Sequence, residues 1–125
     1  MTAARQGLGR RGEALAVAHL RAQGWTVVAR NVRYPEGELD IVIERGGRYA
    51  FVEVRTRRGR AYGTPEESIT IHKRRRLLLA AQHYLQEHGL SEADWRIDLV
   101  AIELAHSGRL IRLEVLESAI TGEGL

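Results

Sequence analysis

Glu38, Asp40, Glu53 and Arg55 stand within GELDIVIERGGRYAFVEVRTR, residues 37–57, a stretch that otherwise reads as two buried strands. Charged side chains are disfavoured in strands, and in a core they are costly unless paired or bound to a metal. Gly46-Gly47 is a tight-hairpin signal. If it forms a two-residue turn, Arg45 pairs with Arg48, and Leu39, Ile41 and Ile43 face Val54, Val52 and Ala50 on one apolar surface. A one-residue slip would mix the two surfaces, which supports this register. On the other surface Val42 meets Phe51, Asp40 meets Glu53 and Glu38 meets Arg55. Side chains so opposed have Cβ atoms about 4.5–5.5 Å apart, and like charges there destabilise a sheet. The two carboxylates must share a proton, lie at a wet edge or hold a cation. Hard divalent cations take such oxygen ligands, magnesium typically using one or two carboxylates with water and substrate phosphate. Spacing alone leaves two readings: a metal site at the sheet edge, or a solvated strand face whose acids pair with local arginines.

The elements that must position these residues follow from periodicity and punctuation. Residues 10–23 read as a helix stopped by Gly24, and residues 25–32 as a strand. Residues 38–44 and 49–56 form the hairpin, and a basic loop with glycine and proline spans 57–69. Thr70 is an N-cap for a helix running to about His88, with Gly89 as its stop. Residues 95–104 and 109–116 read as two further strands, turned at Ser107-Gly108. The polar, glycine-rich residues 117–125 are expected to fray. The order αβββαββ predicts one α/β domain over 1–125, with a mixed sheet flanked by helices. Glu13 shares a helix face with Val17 and Leu20; if that face packs on the sheet, Glu13 is a third acid aimed inward, and otherwise it only compensates the helix dipole. Gly7, Gly9 and Gly12 match G-x-G-x-x-G, but no strand precedes them, so a dinucleotide site is rejected.

Composition narrows the classes. The 125 residues contain no cysteine, which excludes disulfides and thiolate metal sites. The strongly apolar run Leu77 to Ala81 is too short to span a bilayer. The basic start lacks the apolar stretch of a signal peptide, so a cytoplasmic location is the default. Net charge is +3, and the basic residues cluster. Arg55, Arg57, Arg58 and Arg60 form one group; Lys73, Arg74, Arg75 and Arg76 form another. Both flank the acidic strands, which favours a nucleic-acid partner over two merely solvated patches. His19, His72, His83, His88 and His106 show no ligand spacing. Asp98 is expected to orient Arg96 or another arginine.

Glu13, Asp40 in GELDIV, and Glu53-Val54-Arg55 in FVEVRTR together resemble the PD-(D/E)xK nuclease superfamily. The ordered blocks GRRGEALA, ARNVR, GELDIV, FVEVRTR, YGTPEESIT followed by Lys73, and RIDLVAI make the chain most similar to the YraN-like proteins, relatives of Holliday-junction resolvases. The resemblance implies an αβββαβ core, here with an extra C-terminal strand, and a metal-dependent phosphodiesterase acting on DNA, including branched or flapped DNA. It implies that Asp40 and Glu53 hold Mg2+ or Mn2+, assisted by Glu13 directly or through water, and that the cation activates water and stabilises charge at phosphorus. Arg57, Arg58, Arg60 and the start of the second helix, Lys73, Arg74 and Arg75, would position the nucleic-acid backbone. A homodimer follows from the resemblance too, because a symmetric cut of a junction needs two sites.

The superfamily usually has lysine where this chain has Arg55. Arginine stays protonated in proteins, so Arg55 could hold phosphate or water but could not be a general base. Lys73, the one lysine of the chain, lies on the same helix face as Leu77, Ala80 and Tyr84 and could supply the missing ammonium. Four consecutive basic residues cover most directions around a helix, which favours a solvated basic turn instead. A nucleic-acid-binding module that kept the fold and lost turnover at Arg55 is the alternative function.

Overall fold

The computed structural model describes residues 3–124. Helix α1 (Ala3–Ala22) precedes three strands, β1 (Thr26–Tyr34), β2 (Gly37–Arg45) and β3 (Arg48–Arg58). A single 3-10 turn (Glu66–Ser68) leads into α2 (Ile71–Glu87), followed by β4 (Asp94–Leu104) and β5 (Leu110–Ile120). The strands form one mixed sheet in the order β1-β2-β3-β4-β5. Only β3 and β4 are parallel; the other neighbours run antiparallel. This is the αβββαβ core expected from the sequence, with β5 added at its end. Among the described residues no helix is long and apolar enough to cross a membrane.

Local chemistry sets the boundaries. Gly24 takes a φ of 92°, and Trp25 N–H bonds back to the Leu20 carbonyl, closing α1 with a left-handed glycine cap. α1 begins at Ala3, earlier than the expected start at residue 10. Thr70 caps α2 by accepting from Lys73 N–H at 3.1 Å. Gly46 and Gly47 both have positive φ, 60° and 81°, as a primed hairpin turn requires. At the other end β5 runs through residues 117–120 of the expected tail, and Ile120 is buried against the α2 side. Residue 125, the last of the expected tail, lies outside the described residues.

Each face of the sheet carries one helix. Ala16, Val17 and Leu20 of α1 pack on Ile41, Ile43, Ala50, Val52 and Val100. Leu77, Ala80, Tyr84 and Leu85 of α2 pack on Val42, Phe51 and Ile97. Leu39 corrects the sequence reading, because it packs with α2 rather than with Ile41 and Ile43. The register sets Arg30 against Ile41 and Val32 against Leu39, so Asn31 falls opposite Asp40. Asn31 has a φ of 52°, a left-handed conformation that asparagine tolerates. Strict alternation breaks at this pair, and the side chains beyond it exchange faces.

Two glycines allow the layers to approach. A Cβ at Gly12 would stand 2.0 Å from Thr56 Oγ1, and one at Gly37 would stand 2.8 Å from the Arg76 carbonyl oxygen. The last glycine of the rejected dinucleotide motif therefore lets α1 lie on β3. Gly12→Ala should cost about 1–3 kcal/mol by overpacking, seen as a lower urea midpoint at unchanged slope. Adding Thr56→Ala, which removes the clashing oxygen, should recover part of that loss; strictly additive losses would contradict the contact.

Candidate metal and nucleic-acid site

The β2–β3 ladder follows the predicted register from Arg45–Arg48 to Ile41–Val52. Past that point the Asp40 carboxylate takes over a backbone role: its Oδ2 accepts from Val54 N–H at 2.9 Å. β3 pairs with β4 along its whole length, but from Glu53 onward it has no β2 partner, while Gly37, Glu38 and Leu39 pair with β1 alone. Asp40 and Glu53 thus stand at a fork between two strands. Glu38 does not meet Arg55 as the extended register would have it. It lies 3.6 Å from Arg33 on β1, because the fork carries it away from β3.

Glu53 is only 3% exposed. Its Oε2 is 3.0 Å from Arg55 Nη2 and 3.7 Å from Lys73 Nζ. Its Oε1 is buried without a partner. Burial first, and the neighbouring Asp40 second, push the Glu53 carboxyl up to about 8, although Lys73 and Arg55 oppose the shift. The β2–β3 ladder ends one pair earlier than Asp40–Glu53, at Ile41–Val52, so the two carboxyls are neighbours by charge rather than a laddered pair. Glu13, half-buried on α1, is also raised by burial and then by Asp40, with Arg30 and the Asn31 amide offsetting part of it. It approaches Asp40 from the α1 side, opposite the helix that carries Lys73. Among the described residues no three histidine, aspartate or glutamate side chains gather into a metal cage. The Asp40–Glu53 pair, with Glu13 behind it, is the arrangement that exists.

Lys73 does not sit in a solvated turn. Its amide is fixed by the Thr70 cap and its ammonium reaches Glu53. Arg55 and Arg57 follow Glu53 along the same face of β3, and both Nε atoms are buried and unpartnered. Arg57 Nη1 makes only a long 3.4 Å bond to the Thr56 carbonyl. Arg58 and Arg75 are exposed, and Arg74 is half-buried beside a cavity of about 320 Å³ lined by Glu66, Ile69, Leu99 and Leu116. Arg60 differs from the rest of its cluster. It clamps the buried Glu103 with bonds of 2.6 and 3.0 Å, and Arg112 holds the same carboxylate while also binding Glu66 and Glu114. Arg60, more than any other neighbour, holds the Glu103 carboxyl below the usual carboxylate range.

Sequence reasoning missed Asn31 and Glu103. Asn31 gave a signal only as part of the block ARNVR; its left-handed backbone beside Asp40 is a product of strand pairing. Glu103 reads as one more strand residue until its two arginines are seen. Asp98 does what was expected of it, binding Arg96 at 3.0 Å, and it also accepts from Ser118 N–H where β5 bulges.

Comparison with known proteins places these residues in a family context. The family described as "Uncharacterised protein family UPF0102" matches residues 12–102, a span that includes Glu13, Asn31, Asp40, Glu53, Arg55 and Lys73. A UPF0102 protein of Symbiobacterium thermophilum is 44% identical over 112 residues, covering 90% of this chain and 94% of the relative. One from Dehalococcoides mccartyi is 40% identical over 119 residues, covering 95% and 97%. One from Moorella thermoacetica is 42% identical over 119 residues, covering 95% and 99%.

Proposed function

The chain belongs to the UPF0102 family, the YraN family, and from its site we propose a divalent-cation-dependent phosphodiesterase acting on nucleic acid, with DNA as the substrate. One observation carries the reading. Among the described residues, the buried side-chain nitrogen and oxygen atoms without a partner are Glu53 Oε1, Arg55 Nε and Arg57 Nε, at alternate positions of β3. Buried polar atoms normally have partners. A cation satisfies the carboxylate oxygen and phosphate oxygens satisfy the guanidinium nitrogens, so a phosphodiester with its counter-cation meets all three needs.

A divalent cation fits the donor set. Asp40 and Glu53 offer hard carboxylate oxygens, one of them orphaned, and Mg2+ or Mn2+ would take its remaining positions from water and phosphate. Bound there, it would lower the pKa of a water and stabilise charge on the phosphoryl oxygens. Arg55 donates to phosphate. Lys73 puts a second positive charge beside Glu53. Glu13 accepts a proton or a water hydrogen from the α1 side. Residues two apart on a strand are about 6.6 Å apart, close to the separation of neighbouring phosphates, so Arg55 and Arg57 suit successive phosphates of one strand.

The test is cleavage of labelled four-way junctions, flaps and single strands with Mg2+ or Mn2+. A second reading has its own observation: the arginine at the superfamily's lysine position is itself pinned on Glu53 at 3.0 Å. If wild type and Arg55→Lys both bind DNA tightly and cut none of these substrates, the chain is a binding module.

Binding should weaken with salt along a log–log line whose slope counts neutralised phosphates. Arg57→Ala and Arg58→Ala should each flatten that slope by about 0.7–0.9. Arg60→Ala should leave the slope nearly unchanged and lower the melting temperature instead, because its partner is Glu103. A slope equally sensitive to all three would contradict this division.

A further inference from the structure

Tyr62 is 94% exposed, the most exposed of the large hydrophobic side chains among the described residues. The loop that carries it is firmly tied. Gly59 N–H donates to the Leu104 carbonyl at 3.1 Å, and Gly63 N–H donates to the Arg60 carbonyl at 3.1 Å, closing a turn around Ala61 and Tyr62. Arg60 is clamped on Glu103. Beyond the turn, Thr64 N–H donates to Glu67 Oε1 at 2.8 Å and Glu67 N–H to Thr64 Oγ1 at 3.3 Å, a reciprocal cap. Gly59 and Gly63 have φ of 75° and 89°, conformations that strain other residues. The loop is therefore built to hold an aromatic ring out in water, four residues after β3, the strand of Glu53, Arg55 and Arg57, ends at Arg58.

We propose that Tyr62 is a stacking platform for an unpaired base, so that the site takes single-stranded or flapped nucleic acid in preference to continuous duplex. The position of the strand rests on the phosphodiesterase reading; the stacking is a binding property that needs no turnover. A strand whose phosphates follow Arg55 and Arg57 along β3 leaves the sheet at Arg58 and passes the loop tip. Every base has a π-face, so one ring serves any sequence. Bases within a duplex are already stacked on one another and leave no face for Tyr62.

Fluorescence anisotropy in magnesium-free buffer, with a labelled single strand and the matching duplex, tests this. Tyr62→Ala should weaken single-strand binding by about 5- to 100-fold and leave duplex binding within about twofold. Tyr62→Trp should retain the affinity and add tryptophan emission that the single strand quenches and the duplex does not. Equal effects of Tyr62→Ala on both forms, or none on either, would overturn the proposal. The two readings fail separately. Intact cleavage with an indifferent Tyr62→Ala sinks the stacking role alone, whereas a preserved single-strand preference without cleavage sinks the phosphodiesterase alone.

Discussion

Glu53→Gln should reduce cation-dependent turnover by about 10²–10³-fold, the scale of losing one electrostatic contributor to a transition state, while making the cation-free protein more stable. Glutamine keeps the shape and an acceptor for Arg55 and Lys73. It removes a carboxyl that is 3% exposed and pushed up to about 8 by burial and by Asp40. The sign of the pH effect follows from where the proton sits. An unfolded glutamate titrates near about 4.3, so between that value and about 8 the unfolded chain releases a proton that native Glu53 keeps. Stability contributed by this group is complete below the unfolded value and is lost as pH rises through about 8. In chelator, Glu53→Gln should therefore raise stability by roughly 1–3 kcal/mol at alkaline pH and by much less near pH 4. Thermal melts across that range decide it: an equal gain at both ends, or a loss at the alkaline end, would contradict the account.

The second large effect concerns the cations on Glu53. Arg55→Ala should lower kcat by about 10²-fold with a much smaller change in KM, because the guanidinium acts mainly on charge that builds in the transition state. Arg55→Lys should keep or raise activity, since an ammonium can serve the same phosphate and is the superfamily's usual choice. Lys73→Ala alone should cost less, because Arg55 still lies 3.0 Å from Glu53. The double variant Arg55→Ala/Lys73→Ala should lose more than the product of the single losses, as two cations sharing one carboxylate act together. A double variant no worse than Arg55→Ala would show that Lys73 has no part in the chemistry and only accompanies Glu53.

Local patterns carried most of the fold. Gly24, Gly46-Gly47 and Thr70 each act through their own backbone neighbourhood, so their turns and caps were legible from residue type. The hairpin register from Arg45–Arg48 to Ile41–Val52 was legible because a two-residue turn fixes it. What failed depended on distant partners. Leu39 crosses to the α2 side because Asn31, on another strand, adopts a left-handed conformation opposite Asp40. Glu38 follows β1 because the sheet forks, and no spacing within the hairpin encodes a fork. Arg60 looks identical to Arg57 and Arg58 in sequence, yet Glu103, forty-three residues away, claims it. Lys73 shows the same limit from the other side: among four basic residues, only the packing of α2 on the sheet selects the one that reaches Glu53.

The central claim is that Asp40 and Glu53 share one divalent cation. Calorimetric titration of the intact protein with Mn2+, beside Asp40→Asn and Glu53→Gln, tests it most directly. One cation per chain is expected for the wild type, with proton release from Glu53 on binding, and at least about a tenfold weaker association in each variant. Absence of Mn2+ and Mg2+ binding to the wild type, or undiminished binding by both variants, would contradict it.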